Sequence, residues 1–338
     1  MKNKIENYKK FYRSKQGLMF VSEIENTGLR ELVLTDYDFS SESGHQRYWD
    51  DCIENMDALI IKRKGINDMW IPGIIMHYGF GAFGSIFNDH KLKFTKDTSY
   101  MFGLDNSWDL KYDKDRFWSR MFIKCAQYIS ERANDRFFIT PYPAPCPMDA
   151  ANIIRESNLF TDIYEYEDEL HILLNNATDG IIEHLTYINE NTKTPYEGMM
   201  AFNRWIPGKC LILDDVGDLC SPEVYEKWIK PYTQRILNAF RGGYIHHHSL
   251  GKHQFKNISQ YDNLYVQQIS SDPSEPRPVN DLNYIFEQTS GSNVAIDLEV
   301  VPDEVLENID KLIQGKFILQ INFDNLENAV EFYKQIDV

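Results

Sequence analysis

From Cys210 onward the chain repeats one pattern five times, a short apolar run followed by the start of a helix. The run CLILDD, Cys210 to Asp215, ends in two acids and leads to Ser221, Pro222 and Glu223. A serine hydroxyl accepts from the orphan amides of a first turn, and a proline there has no amide to leave unpaired, so a helix is predicted from Ser221 to about Arg241. Pro231 should kink it. The runs GYIHHH, LYVQQI, NVAIDLEV and KFILQINF follow, with helices predicted around His253 to Tyr261, from Val279 to Thr289, after Pro302-Asp303-Glu304, and from Asn325. Parallel neighbours need a crossover between them, and helices of this length supply it. Upstream, Met69 to His77 and Arg136 to Thr140 read as further strands, and Leu170 to Ile188 keeps the apolar spacing of an amphipathic helix. Seven or eight such strands predict an α/β fold, a single (β/α)8 TIM barrel over 61–338, with a helical extension over 1–60 packed on it. An open doubly wound sheet is the alternative.

Composition narrows the function. The chain of 338 residues is 43% hydrophobic, enough for one large core, and its 35 Lys+Arg against 51 Asp+Glu leave a net charge of −16. Excess negative charge repels nucleic-acid phosphates and anionic membrane surfaces alike, so neither is an expected partner. The Lys-, Glu- and Asn-rich N-terminus has no apolar core of a secretory signal, and a cytoplasmic location is expected. Five scattered cysteines without a CxxC pair predict free thiols. Trp70 to Phe87 lacks Asp, Glu, Lys and Arg, but Pro72, His77 and four glycines break it as a membrane span. Gly79 to Gly84 fits GxGxxG, with Asp105 about 20 residues on. Since Asn88, Asp89 and His90 interrupt the helix that a dinucleotide loop must open, a loop shaping the barrel mouth is predicted instead.

Strand residues alternate between faces. In NVAIDLEV the apolar set Val294, Ile296, Leu298, Val300 belongs under helices, which turns Asn293, Ala295, Asp297 and Glu299 inward. In KFILQINF the same logic turns Ile318, Gln320 and Asn322 inward. Inward carboxylates are costly unless paired or metal-bound, so Asp297 and Glu299 mark a site, with a barrel-closing salt bridge or hydrogen bond as the plain alternative for both, more so for the deeper Asp297. In GYIHHH, His246 and His248 share the face of Tyr244, and two imidazoles at that spacing can reach one metal or one substrate carboxylate. Strand parity leaves open which of Asp214 and Asp215 points inward.

The stretch LDDVGDLCSPEVYEKWIKPYTQRI and the following GGYIHHHSLGKH resemble the uroporphyrinogen decarboxylase superfamily. In that family a strand ending in an acidic pair or Asp-Ser leads into a Ser-Pro-Glu helix with an internal Pro-Tyr, and the next strand ends in a His-Ser-Cys-Gly-like motif. CPMDAANIIRESNLFTDIYEYEDELHILL resembles the helices upstream, so the similarity spans about Asp68 to Glu299. The resemblance implies a TIM barrel, a dimer, and either porphyrinogen decarboxylation or zinc-dependent methyl transfer with a corrinoid (cobalamin) protein. It places Asp214 on the family's strand-end Asp, Asp215 on its neighbour, and His248-Ser249-Leu250-Gly251 on the histidine motif, with Leu250 replacing the cysteine. The decarboxylase's Arg-Gln-Ala-Gly-Arg-Tyr motif has no match near Gly17 to Glu25.

The leading expectation is therefore a methyltransferase whose zinc, lacking cysteine ligands, is held by His246, His248 and Glu299, with Asp215 as a further candidate. Asp214, Asp215, His248 and Asp297 are the expected catalytic groups. His77, Tyr78, Arg204, His253, Gln320 and Asn322 are expected to bind substrate. The second expectation is a cofactor-free decarboxylase in which Asp214 stabilises a protonated ring while His248, Arg204 or Arg277 hold carboxylates. A non-catalytic corrinoid- or ligand-binding barrel is the third.

Overall fold

The computed structural model describes residues 1–87, 91–102, 108, 110–273 and 275–336. Nine strands carry the argument: β1 Gly17–Asn26, β2 Gly73–Ile75, β3 Phe138–Thr140, β4 Ala144–Pro145, β5 Cys210–Leu213, β6 Gly243–His248, β7 Leu264–Ser270, β8 Ala295–Val300 and β9 Lys316–Asn325. Seven of them form one parallel sheet in the order β1-β9-β8-β7-β6-β5-β4. β2 and β3 pair with each other, also in parallel. Each of the five late strands is followed by helix, as the punctuation predicts.

The hydrogen-bonded ladder is not closed among the described residues. β1 reaches the segment before β2 through one backbone–backbone bond, Met69 N–H to the Phe20 carbonyl at 2.8 Å, and through the Ser22 amide donating to Asp68 Oδ2 at 2.9 Å, and β3 leads directly toward β4. Pro141, Pro143, Pro145 and Pro147 occupy the connection and the start of the next helix. Proline donates no amide, so a continuous ladder cannot run through that stretch. A second difference lies in the first 60 residues. Residues 17–26, read as part of a helical extension, are the edge strand β1, paired in parallel along β9.

The two faces of the sheet pack as their parity requires. Ile296, Leu298, Val300, Phe317, Leu319, Ile321 and Phe323 lie with Val305, Leu312, Ala329 and Phe332 of the covering helices. Met19, Val21, Leu211, Tyr244, Val266, Ala295 and Ile318 fill the opposite face, joined there by Ile5, Tyr8, Phe11 and Tyr12 of helix α1, Lys2–Arg13. The helix predicted from Ser221 is split at Ile229 into Pro222–Trp228 and Lys230–Ala239, because Pro231 lacks the amide and crowds the carbonyl four residues back. Phe80–Gly84 is a five-residue helix rather than a loop. Gly79 precedes it at φ +85°, where a Cβ would meet the backbone of Ser99. Asn88, Asp89, His90 and Asp105 lie outside the described residues. All five cysteines are free. Among the described residues no helix is long and apolar enough to cross a membrane.

Candidate metal centre at the strand ends

The end of β6 sorts its three histidines by face. His247 is fully buried on the helix side, where Gln267 Nε2 donates to its Nε2 at 3.0 Å and Phe255 packs on its ring. Burial drives its pKa down to about 4, so it is a neutral core histidine. His246 and His248 face the other way, with ring centres 4.9 Å apart.

Each of these two rings is fixed through Nδ1. His246 Nδ1 lies 2.7 Å from Gln268 Oε1, and an amide oxygen only accepts, so the proton is on Nδ1 and Nε2 keeps its lone pair. Burial lowers the His246 pKa and keeps that ring neutral. His248 Nδ1 lies 3.1 Å from Asp272 Oδ1, which imposes the same tautomer. Asp272 is held in turn by Ser249 Oγ–H at 3.1 Å and the Leu250 amide at 2.8 Å. The His248 amide donates to Asp218 Oδ2 at 3.0 Å.

β5 adjoins β6, and its end settles what parity left open. Leu211 belongs to the inner cluster, Cys210 and Ile212 to the outer one. Asp214 therefore points outward and is fully buried, accepting from Tyr225 O–H at 2.5 Å, with Tyr261 3.2 Å behind that hydroxyl. Burial pushes its carboxyl up to about 6. Asp215 follows at the open end, its Oδ1 3.7 Å from His248 Nε2 and without a hydrogen-bond partner. Asp215, His246 and His248 offer ligand atoms that all lie within 4.8 Å of one another. The side chains of Asp215 and His248 are 44% and 35% exposed, so the cluster is open to solvent.

The other predicted residues are placed differently. Asp297 and Arg204 are spent on each other: Arg204 Nη2 donates to Asp297 Oδ1 at 3.0 Å, its Nε lies 2.7 Å from Oδ2, and Tyr244 O–H donates to Oδ2 at 2.8 Å. At 0% and 1% exposure neither touches a substrate in this conformation, so the geometry is that of a buried structural ion pair rather than a catalytic Asp297 and a substrate-binding Arg204. Gln320 accepts from Arg204 at 2.9 Å and donates to Asn322 at 3.2 Å. Glu299 accepts from Ser270 Oγ–H and stays outside the three-residue cluster, because β7 separates its strand from β6. Tyr78 is fully buried in an aromatic core with its hydroxyl on His45, Trp49 and Cys125, which removes it from any substrate. His77 stacks on Tyr142 with ring centres 5.2 Å apart. His253 sits on the turn after β6 against the Cys220 carbonyl at 2.8 Å.

Sequence reasoning missed Gln268 and Asp272. The one signal was the Gln-Gln pair in LYVQQI, two amides in an otherwise apolar strand.

No family model matches the sequence, and no curated protein matches it. Among solved structures, a methyltransferase from Methanosarcina mazei superposes with a TM-score of 0.67 over 98% of this chain and 97% of its own, at 12% identity. At that identity the likeness shows the fold alone: an α/β architecture shared with that structure along nearly the whole of both chains.

Proposed function

We propose that the chain is a methyltransferase-type enzyme whose sheet and β2–β3 pair together make a (β/α)8 barrel, β3 and β4 being one barrel strand interrupted at Pro141 and Pro143, with Asp215, His246 and His248 holding one divalent cation at its mouth. One observation carries this reading. Two imidazole lone pairs and an unpartnered carboxylate oxygen converge at the C-terminal ends of adjacent strands, where enzymes of this architecture place their chemistry. The donor set suits zinc, which takes nitrogen and oxygen ligands and keeps a fourth position open in catalytic sites. When bound, zinc would supply Lewis acidity toward the oxygen, sulfur or nitrogen that carries a methyl group. Gln268 and Asp272 hold both rings in the ligating tautomer, and Asp215 brings the negative charge. A corrinoid protein at the mouth is the methyl acceptor in this proposal.

The cofactor-free decarboxylase is the weaker reading, since its carboxylate-holding cations are engaged elsewhere. Arg204 is sealed against Asp297, and Arg277 pairs with Glu304 at 3.2 Å. The test is metal analysis of tag-free protein beside His246→Ala and His248→Ala, with methyl transfer to a reduced corrinoid as the activity readout. Each variant should lose one equivalent of zinc and the transfer while keeping its circular-dichroism spectrum. Full zinc content and full transfer in His248→Ala would refute the proposal.

A further inference from the structure

On the outer side of the β5 end, on the face away from His246 and His248, a second set of ligand-type side chains meets. Cys146 Sγ, an oxygen of Asp149 and an oxygen of Asp214 all lie within 4.8 Å of one another. Backbone geometry brings them together. Cys146 is the N-cap of the nine-residue helix Pro147–Arg155, Asp149 lies in its first turn, and the Cys146 amide donates to the carbonyl of Leu213, just before Asp214, at 2.7 Å.

The hydrogen bonds around the set leave it room to ligate. Asp149 accepts the amides of Asp215 and Val216 at 3.1 and 2.8 Å, one on each oxygen, and a carboxylate oxygen has a further lone pair. The Asp149 amide donates to Cys146 Sγ at 3.4 Å, the N-cap contact of the helix, and burial beside the two aspartates pushes the Cys146 thiol up, so the metal-free site holds it protonated. Asp214 uses Oδ2 on Tyr225, while its Oδ1 is buried without any partner. Both Cys146 and Asp214 have 0% exposure, and among the described residues no Lys or Arg pairs with either aspartate. Buried anionic groups without a cationic neighbour are costly unless a proton or a metal ion neutralises them.

We propose that Cys146, Asp149 and Asp214 form a second divalent-cation site, distinct from the histidine centre. One sulfur and two oxygen donors suit an ion of zinc's softness, whereas magnesium and calcium require oxygen cages. Binding releases the Cys146 thiol proton to solvent, since the thiolate is the ligand. The ion would tie the start of Pro147–Arg155 to the β5 end and so fix the backbone that presents Asp215.

Cobalt(II) separates the two centres, because only this one contains sulfur. Metal-free protein titrated with cobalt should develop a near-ultraviolet thiolate-to-cobalt absorption worth one equivalent. The band should persist in His248→Ala, which lacks the other centre, and vanish in Cys146→Ser. Asp214→Asn should weaken cobalt binding there by about tenfold or more, since even an outer-shell loss costs about 10- to 100-fold. If Cys146→Ser fails to fold, X-ray absorption of the zinc-loaded wild type decides, with a sulfur neighbour expected at about 2.3 Å. No band and no sulfur neighbour at saturating metal would overturn the proposal, as would a band that survives in folded Cys146→Ser.

Discussion

At the scale of single residues, the candidate centre depends on partners that themselves bind nothing. Asp272 fixes the His248 tautomer, so Asp272→Asn removes the carboxylate behind the ring without touching the three ligand groups. Zinc affinity, read by competition with a chromophoric chelator, should fall about 10- to 100-fold while the metal-free protein keeps its fold by circular dichroism. Unchanged affinity would mean that Asp272 does not orient the ring. Asp297 calls for the opposite outcome. Asp297→Ala strands a buried Arg204 guanidinium and should cost about 3–5 kcal/mol in urea unfolding, and the paired change Arg204→Met with Asp297→Leu should restore most of that loss. Parity exposed the inward carboxylates on β8 because its other face is wholly apolar. It could not show that Asp297 meets Arg204, 93 residues earlier on the hairpin strand Arg204–Ile206, since pairing across the fold leaves no trace in local spacing. CLILDD was mute for a related reason: both of its faces are apolar, so alternation carries no direction.

At the scale of elements, the late strands were legible and the early ones were not. Strands that alternate with well-capped helices declare themselves through Ser-Pro-Glu and Pro-Asp-Glu starts, and β5 to β9 all stand where those signals put them. β1 was hidden because GLMFVSEIEN ends in charged and polar residues and has no helix start close behind it. The break near β4 was written in Pro141, Pro143 and Pro145, yet its consequence for the ladder needs the neighbouring strands in place. α1 shows how an element far from the site can matter for folding alone. Its Ile5, Tyr8, Phe11 and Tyr12 pack against the inner cluster formed by the sheet, with Tyr12 O–H donating to the Trp205 carbonyl at 2.9 Å. Phe11→Ala should cost about 3–5 kcal/mol as a cavity at that base. Zinc affinity should be unaffected, because Gly17 and Lys316 beside the end of α1 begin their strands while the histidines finish theirs. A matching drop in affinity would show that the two ends are coupled.

At the scale of the whole molecule, acid stability follows from histidines buried in the neutral state, three of them shifted far down. Burial holds His45 and His247 at about 4 and His184 at about 3, against an ordinary value near 6.5. Below about pH 6.5 the unfolded chain takes up protons that the folded chain refuses until those lower values, so stability falls as the pH drops through that window. Asp214 and Asp218 act in the other sense. Burial raises them to about 6 and 7, so the folded chain holds protons there that the unfolded chain releases above its ordinary carboxyl range, and their contribution fades as the pH rises. The two trends overlap between about pH 4 and 6.5, which makes the wild-type slope a difference and a single substitution the cleaner reading. His184 packs on Phe83, Phe122 and Tyr112, with its Nδ1 3.4 Å from the Tyr112 hydroxyl, and stands apart from both candidate metal sites. His184→Gln removes one proton from the balance, so the fall in urea-unfolding free energy between pH 6 and 5 should become shallower by about 1 kcal/mol. An unchanged slope would place the acid sensitivity elsewhere, among the other histidines that burial holds neutral, His45, His77, His246 and His247.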